Sequence, residues 1–249
     1  MKLLTKSSTK TLKGEKYGWE TYILYMSPAK QNSYGKNLCS QSTEGCRSAC
    51  LYNAGRGVFT SVQQARVRKA DWFIKDSWSF MSQLYKELVN LDKRREKNKL
   101  NICVRFNGTT DIPIENIKLY EYGAKNIMEL FPEIVFYDYT KISNRFNNVL
   151  PRNYHLTFSY SGENKKEALQ LLKKGHNVSV VFDTQKSTQL PKRLWNHRVY
   201  SADESDLRFL DKKLYGSTRL KRGMIGGLTY KIPRGKKVDI TNSKFVVKL

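Results

Sequence analysis

The chain has 249 residues, 39% hydrophobic and 12% aromatic, which is enough apolar material for one large core and too much for a disordered chain. Its 45 Lys and Arg against 22 Asp and Glu give a formal net charge of +23, spread from Lys2 to Lys248 rather than gathered in a tail. Such a cationic body attracts polyanions. It holds no apolar run of roughly eighteen residues and no basic amphipathic helix with an isolated apolar face, which argues against a membrane partner.

The opening, Met1 to Lys10, has too short an apolar run for a secretion signal, and four cysteines are too few for a disulfide scaffold. A cytoplasmic protein of one α/β domain spanning 1–249 is expected. Residues 1–57 read as an N-terminal strand and cysteine-bearing loop, 58–200 as helices and βα units, and 201–249 as a C-terminal extension.

In chain order, a polar lead-in over 1–18 precedes a strand at Trp19 to Met26, ended by Pro28. A turn-rich stretch from Ala29 to Gly57 follows. Helical spacing then runs through Val62, Ala65, Arg66, Ala70, Phe73 and Ile74, and on through Trp78, Met81, Leu84, Tyr85, Leu88 and Leu91, with a break expected near Asp76-Ser77. From there strands alternate with helices. Strands are expected at Ile102–Phe106, Ile134–Tyr139, His155–Ser159 and Val178–Phe182. The intervening helices are expected at Ile114–Phe131, around Ser143–Val149, and at Asn164–Lys174 with an Asn164/Glu167 capping pair. Successive βα units of this length predict a parallel sheet, open or closed partly or completely into a (β/α) barrel. Past Asp183 come a strand near Arg198–Ser201, an acidic turn over Ala202–Arg208, and short apolar stretches at Met224–Leu228 and Phe245–Leu249 whose pairing the sequence leaves open. Gly223, Gly226 and Gly227 predict a tight turn or a close backbone approach.

The chemistry gathers in two places. Cys39-Ser-Gln-Ser-Thr-Glu-Gly-Cys46-Arg-Ser-Ala-Cys50 sets three soft ligands in a polar loop. They suit Zn completed by a fourth ligand, or three irons of a 4Fe-4S cluster, or free thiols whose pKa Lys36 and Arg47 would lower. Cys103, alternating within a strand, reads as core, and His155, His176 and His197 read as structural or surface residues rather than catalytic ones. The second place is the carboxyl edge of the sheet, where parallel α/β folds collect functional groups. Asp111, Asp138 and Lys141 are the catalytic candidates there, with Asn107, Tyr139, Tyr160 and Asp183 as a substrate pocket. Arg56, Arg66, Arg68, Arg105 and Lys141 are the candidates for holding nucleic acid, and Tyr17, Tyr34 and Tyr52 lie among basic residues where bases could stack.

Leu51-Tyr-Asn-Ala-Gly-Arg56-Gly, Val104-Arg-Phe-Asn-Gly-Thr-Thr-Asp111, Tyr137-Asp-Tyr-Thr-Lys141 and His155-Leu-Thr-Phe-Ser-Tyr160 together resemble a bacteriophage family, that of gene product 88, over roughly residues 35–230. The resemblance implies a phage context, a host-cell cytoplasmic location and a barrel-like α/β fold. The family pattern has Gly-Asp-Phe where this chain has Thr110-Asp111-Ile112, and a second cysteine cluster that this chain lacks. The layout is also distantly similar to radical S-adenosylmethionine enzymes and to phage transglycosylases that exchange guanine in DNA for a 7-deazaguanine. The leading expectation is therefore an enzyme acting on a nucleic-acid base, DNA before RNA, by base exchange. An iron–sulfur radical enzyme and a non-enzymatic basic binder of nucleic acid are the two alternatives.

Overall fold

The computed structural model describes residues 1–6, 13–184, 186–216, 222–231 and 244–249. The lead-in expected over 1–18 thus lies partly outside the described residues, at 7–12. The described residues build a 10-stranded sheet. Its strands are β1 (Leu4–Thr5), β2 (Trp19–Leu24), β3 (Asn101–Arg105), β4 (Val135–Thr140), β5 (Tyr154–Ser159), β6 (Val178–Phe182), β7 (Arg193–Leu194), β8 (His197–Ser201), β9 (Ile225–Thr229) and β10 (Val246–Val247). The order is β1-β2-β3-β4-β5-β6-β9-β8-β7, with β10 also paired to β6. All pairs from β2 to β8 are parallel, and only the end pairs β1·β2 and β7·β8 are antiparallel. The apolar stretches left open at the C-terminus thus become β9, inserted between β6 and β8, and β10.

Strand alternation gives the sheet two different faces. One carries Leu24, Ile102, Val104, Phe106, Phe136 and Tyr154, buried against α2 (Thr60–Lys75) and α3 (Ser77–Asn98). The same face continues through Phe158, Val178, Val180 and Phe182 under α4 (Lys165–Lys173). Asp76 separates α2 from α3 where the break is expected, and its side chain accepts a 3.0 Å hydrogen bond from Ser79 N, capping α3.

The opposite face carries Trp19, Cys103, Arg105, Tyr137, Tyr139 and Tyr200, and the segment 203–215, including α5 (Asp211–Tyr215), lies across it. Phe209 packs edge-on against Trp19 of β2 at 4.8 Å, while Asp211, two residues on, accepts from Tyr200 Oη of β8. In a flat sheet β2 and β8 would stand six strand spacings apart, about 29 Å. Two residues of one chain cannot span that, so the sheet curls into a trough around this segment.

Four expectations are corrected. The sheet does not close into a complete barrel: its path ends at β1 and at β7. The helix expected over Ile114–Phe131 is a string of turns, 3-10 at Ile114–Asn116 and Tyr120–Tyr122. Gly123 takes a left-handed φ of 73° there, and Asn126 Oδ1 accepts from the backbone N–H of Met128 and Glu129, competing with helix bonds. The apolar period signalled burial, since Ile127 is wholly buried, but not helix. Asn164 does not cap α4; its amide instead accepts from Ser161 N and donates to Ser159 O. Trp78, in the first turn of α3, is 59% exposed, and the buried face is Phe80, Met81, Leu84 and Leu88. The glycine expectation holds at Gly223, where a Cβ would sit 1.8 Å from the His176 carbonyl oxygen.

Candidate active site

A cleft of about 240 Å³ opens at the carboxyl ends of the parallel strands, bounded by the cysteine loop, the segment after β3, and the turns after β4 and β9. Its floor is made by trough-facing residues at the strand ends: Arg105, Tyr139, Ser159 and Ser179. Ser159 and Ser179 are register partners and the last bonded rung between β5 and β6. Beyond them the two strands separate, and β10 takes the vacated edge of β6 at Val181 and Phe182. Small side chains at the point of separation leave the space that becomes the cleft.

The cysteine loop is tied down over this opening. Thr43 caps α1 (Glu44–Ser48) by accepting from Cys46 N, and its hydroxyl donates to Ser161 O at 2.6 Å, fixing the loop to the end of β5. Asp111 N donates to Leu38 O at 2.9 Å, fixing the other end of the loop to the segment after β3. Cys39, Cys46 and Cys50 all line the cleft. Burial pushes the Cys39 thiol up to about 12 and the Cys50 thiol up as well. The lowering expected from Lys36 and Arg47 does not arise at Cys39 and Cys50, where burial dominates; the Arg47 guanidinium donates instead to Ser42 O at 2.6 Å. Among the described residues no three His, Cys, Asp or Glu side chains converge as ligands of a single metal ion.

Asn107 organises the segment after β3. Its amide uses every donor and acceptor it has: Oδ1 accepts from Thr110 Oγ1 and Ile112 N, and Nδ2 donates to Ile112 O and to Asp138 Oδ2. Asp138 is wholly buried beneath, accepting also from Asn107 N at 2.6 Å and Tyr154 Oη at 2.8 Å. Burial raises its carboxyl to about 6, against the pull of Arg145, the Asn107 N–H, Tyr154 and Arg105. Asp111 does line the cleft, held from behind by Lys141 N at 2.8 Å and by Arg145 Nη1 at 3.2 Å. Arg145 in turn makes two 2.8 Å bonds to Glu115 and one of 2.6 Å to Tyr154 Oη, linking the two aspartates through one buried network.

Lys141 lines the cleft beside Asp111, and its ammonium makes no hydrogen bond or ion pair among the described residues. Burial pulls its pKa down, but Cys46, Asp111, Cys39 and Cys50 outweigh this and the net shift is upward, so it stays protonated. Four cations line the cleft (Arg47, Arg105, Lys141, Lys231) against two carboxylates (Asp111, Asp203). Lys231 is 3.9 Å from Asp203. Arg105 is committed to the trough: it pairs with Asp206 at 3.1 Å and lies over the Tyr139 ring at 4.6 Å.

Other expected residues fall elsewhere. Tyr160 is buried, donating to Gly162 O and packing edge-on against Trp195, and Asp183 is exposed beyond β6. Arg66 lies under the cysteine loop over the rings of Tyr25 and Tyr52, whereas Arg56 and Arg68 are exposed. The three histidines sit outside the cleft, with His197 Nδ1 2.9 Å from Gly223 O. Arg145, Thr43 and Lys231 carry no functional signal in the sequence, and Asp203 and Asp206 show there only as members of the acidic turn Ala202–Arg208. The one available signal was an acidic cluster, Asp203 to Asp211, in a strongly basic chain.

Curled parallel sheet, tethered loop and edge cleft together define an α/β protein with its candidate site at the carboxyl edge. The chain belongs to the gene product 88 family, whose model matches residues 2–244. No curated protein and no solved structure matches it. No helix among the described residues is long and apolar enough to cross a membrane.

Proposed function

We propose that the protein is a nucleic-acid-modifying enzyme and that its cleft receives a DNA base turned out of the stack. The observation that carries this reading is Lys141 beside Asp111, in a cleft with four cations and two carboxylates, on a chain of net charge +23. The field of the whole body gathers the polyanion, and Lys141, whose ammonium makes no hydrogen bond or ion pair among the described residues, is left to hold a phosphate next to the extruded nucleotide. Asp111 is the carboxylate that meets the base or its sugar. In base exchange an Asp111 oxygen bonds to C1′ as the C1′–N bond breaks and the base leaves with the electron pair. Attack by the incoming base at C1′ then breaks the Asp111–C1′ bond and restores the carboxylate, and the N–H proton the incoming base gives up replaces the one the departing base takes.

Asp138 takes a different part from the one expected of a second base. Sealed below the cleft, it acts as a positioning residue by holding Asn107 and the segment that carries Asp111. Nucleoside mass spectrometry of DNA incubated with protein tests the reading. Asp111→Asn loses at least about a hundredfold in modified nucleoside while still binding DNA. If Asp111→Asn modifies DNA as well as the parent, Asp111 is not the reacting group and the enzyme reading fails in favour of a binding protein.

A further inference from the structure

We propose that Leu51, at the mouth of the cleft, is the wedge that enters a DNA duplex and fills the place of the base turned out into the cleft. The inference rests on the base-modifying reading, since only a base drawn from its stack leaves a gap to fill. It carries that reading further: double-stranded DNA is the substrate, and Leu51 is the side chain that opens it.

Single exposed apolar side chains are ordinary on protein surfaces and mean nothing by themselves. Leu51 differs in its place and in its support. It is 53% exposed, and among the described residues it is the one exposed large hydrophobic side chain that lines the cleft. The turn beneath it is as stiff as core. Leu51 opens the 3-10 turn Leu51–Asn53, where Cys50 Sγ accepts from Tyr52 N at 3.5 Å. Tyr52 is buried, and α2 sets the Arg66 guanidinium over its ring at 5.5 Å and over the Tyr25 ring at 4.7 Å. Arg66 Nε and Nη1 are buried there with no hydrogen-bond partner, so the two aromatic faces are what compensates the cation. Gly57 closes on the same residue so tightly that a Cβ would sit 2.4 Å from Tyr52 O. A turn pinned in this way holds Leu51 in position before DNA arrives, and little ordering is left to be done on binding.

Proteins that open a base step insert Phe, Leu, Ile, Met or Pro, whose apolar surface replaces lost stacking without stripping water from a charge. Leu51 supplies such a surface. Arg56, exposed in the following 3-10 turn Gly55–Val58, supplies a cation for the phosphates beside the opened step. The tethers at Ser161 and Asp111 keep the loop from being pushed aside.

The test reads unstacking and needs no chemistry on the base. The full chain is bound to DNA duplexes of varied sequence and probed with permanganate and diethyl pyrocarbonate, which attack unstacked thymines and purines; every base pair holds a purine, so the target need not be known. Parent and Asp111→Asn both open reactive positions. Leu51→Ala lowers that reactivity about tenfold, Leu51→Phe retains it, and Trp78→Ala, at another exposed apolar side chain, leaves it at the parent's level. Because Leu51 is exposed, the unfolding curves of the Leu51 variants overlay that of the parent. A duplex left stacked by the parent, or opened equally by parent and Leu51→Ala, overturns the proposal, even where single-stranded DNA is modified. Unstacking that depends on Leu51, with no modified nucleoside formed, upholds the wedge and overturns the base-modifying reading instead.

Discussion

The two faces of the sheet are built on opposite principles. The helix-covered face carries two apolar clusters, Leu24 to Tyr154 and Phe158 to Phe182, stabilised by area removed from water, with a buried polar network around Asp138 and Arg145. The trough face instead threads an ion-pair and tyrosine network around the 203–215 segment. Asp206 accepts there from Arg105, Tyr137 and Tyr139. Buried polar groups of this kind specify geometry more than they add stability. The difference teaches how the cleft is framed: the helix-covered face backs the scaffold, and the trough face ends at the carboxyl edge in the cleft, where the Lys141 ammonium makes no hydrogen bond or ion pair among the described residues.

Substitutions sharpen the contrast. The largest loss is expected on the apolar face, where Phe136→Ala leaves a cavity and costs about 4 kcal/mol in denaturant unfolding. In the trough, Asp206→Ala strands the Arg105 guanidinium and costs about 3 to 4 kcal/mol. Arg105→Met combined with Asp206→Leu recovers most of that, because the network's own net contribution is small. Equal destabilisation by the single and the double variant would break the comparison.

On the helix-covered face, Asp138 makes a pH-dependent contribution. Its carboxyl is raised from 3.8 to about 6 in the folded protein, so the folded state holds the proton more tightly than the unfolded chain. Stability from this group is therefore full below about pH 4 and is lost as pH rises through about 6. The change is up to about 3 kcal/mol. Asp138→Asn removes that part of the slope, measurable as the difference between the two proteins' unfolding curves at pH 4 and pH 7. The smallest stability effect is expected at Lys141. Lys141→Met changes unfolding by no more than about 0.5 kcal/mol, yet weakens DNA binding and reduces its salt dependence by about one counterion.

The sequence discloses the apolar face well because burial there follows strand and helix periods: Ile102, Phe136 and Phe158 announce their strands, and Leu84 and Leu88 their helix. It fails over Ile114–Phe131, where Gly123 and Asn126 turn an apolar period into loops that pack just as tightly. At the site, Cys39, Cys46, Cys50, Asp111 and Lys141 are legible from residue type and from their place at strand ends. The trough is not, because the pairing of Asp206 with Arg105 joins residues about a hundred positions apart and depends on the curl of the sheet. The part played by Asp138 is hidden for the same reason: an aspartate at a strand end reads alike whether its side chain faces a cleft or a buried asparagine.

The most direct measurement is ultraviolet crosslinking of a single-stranded DNA oligonucleotide to the full chain, with the crosslinked peptides identified by mass spectrometry. Crosslinks within residues 39–51, 105–111 and 139–141 are what the proposed entry of DNA into the cleft at the carboxyl edge predicts. Crosslinks confined to the basic end of α3, around residues 93–99, would place the nucleic acid on the helix-covered side and contradict the account.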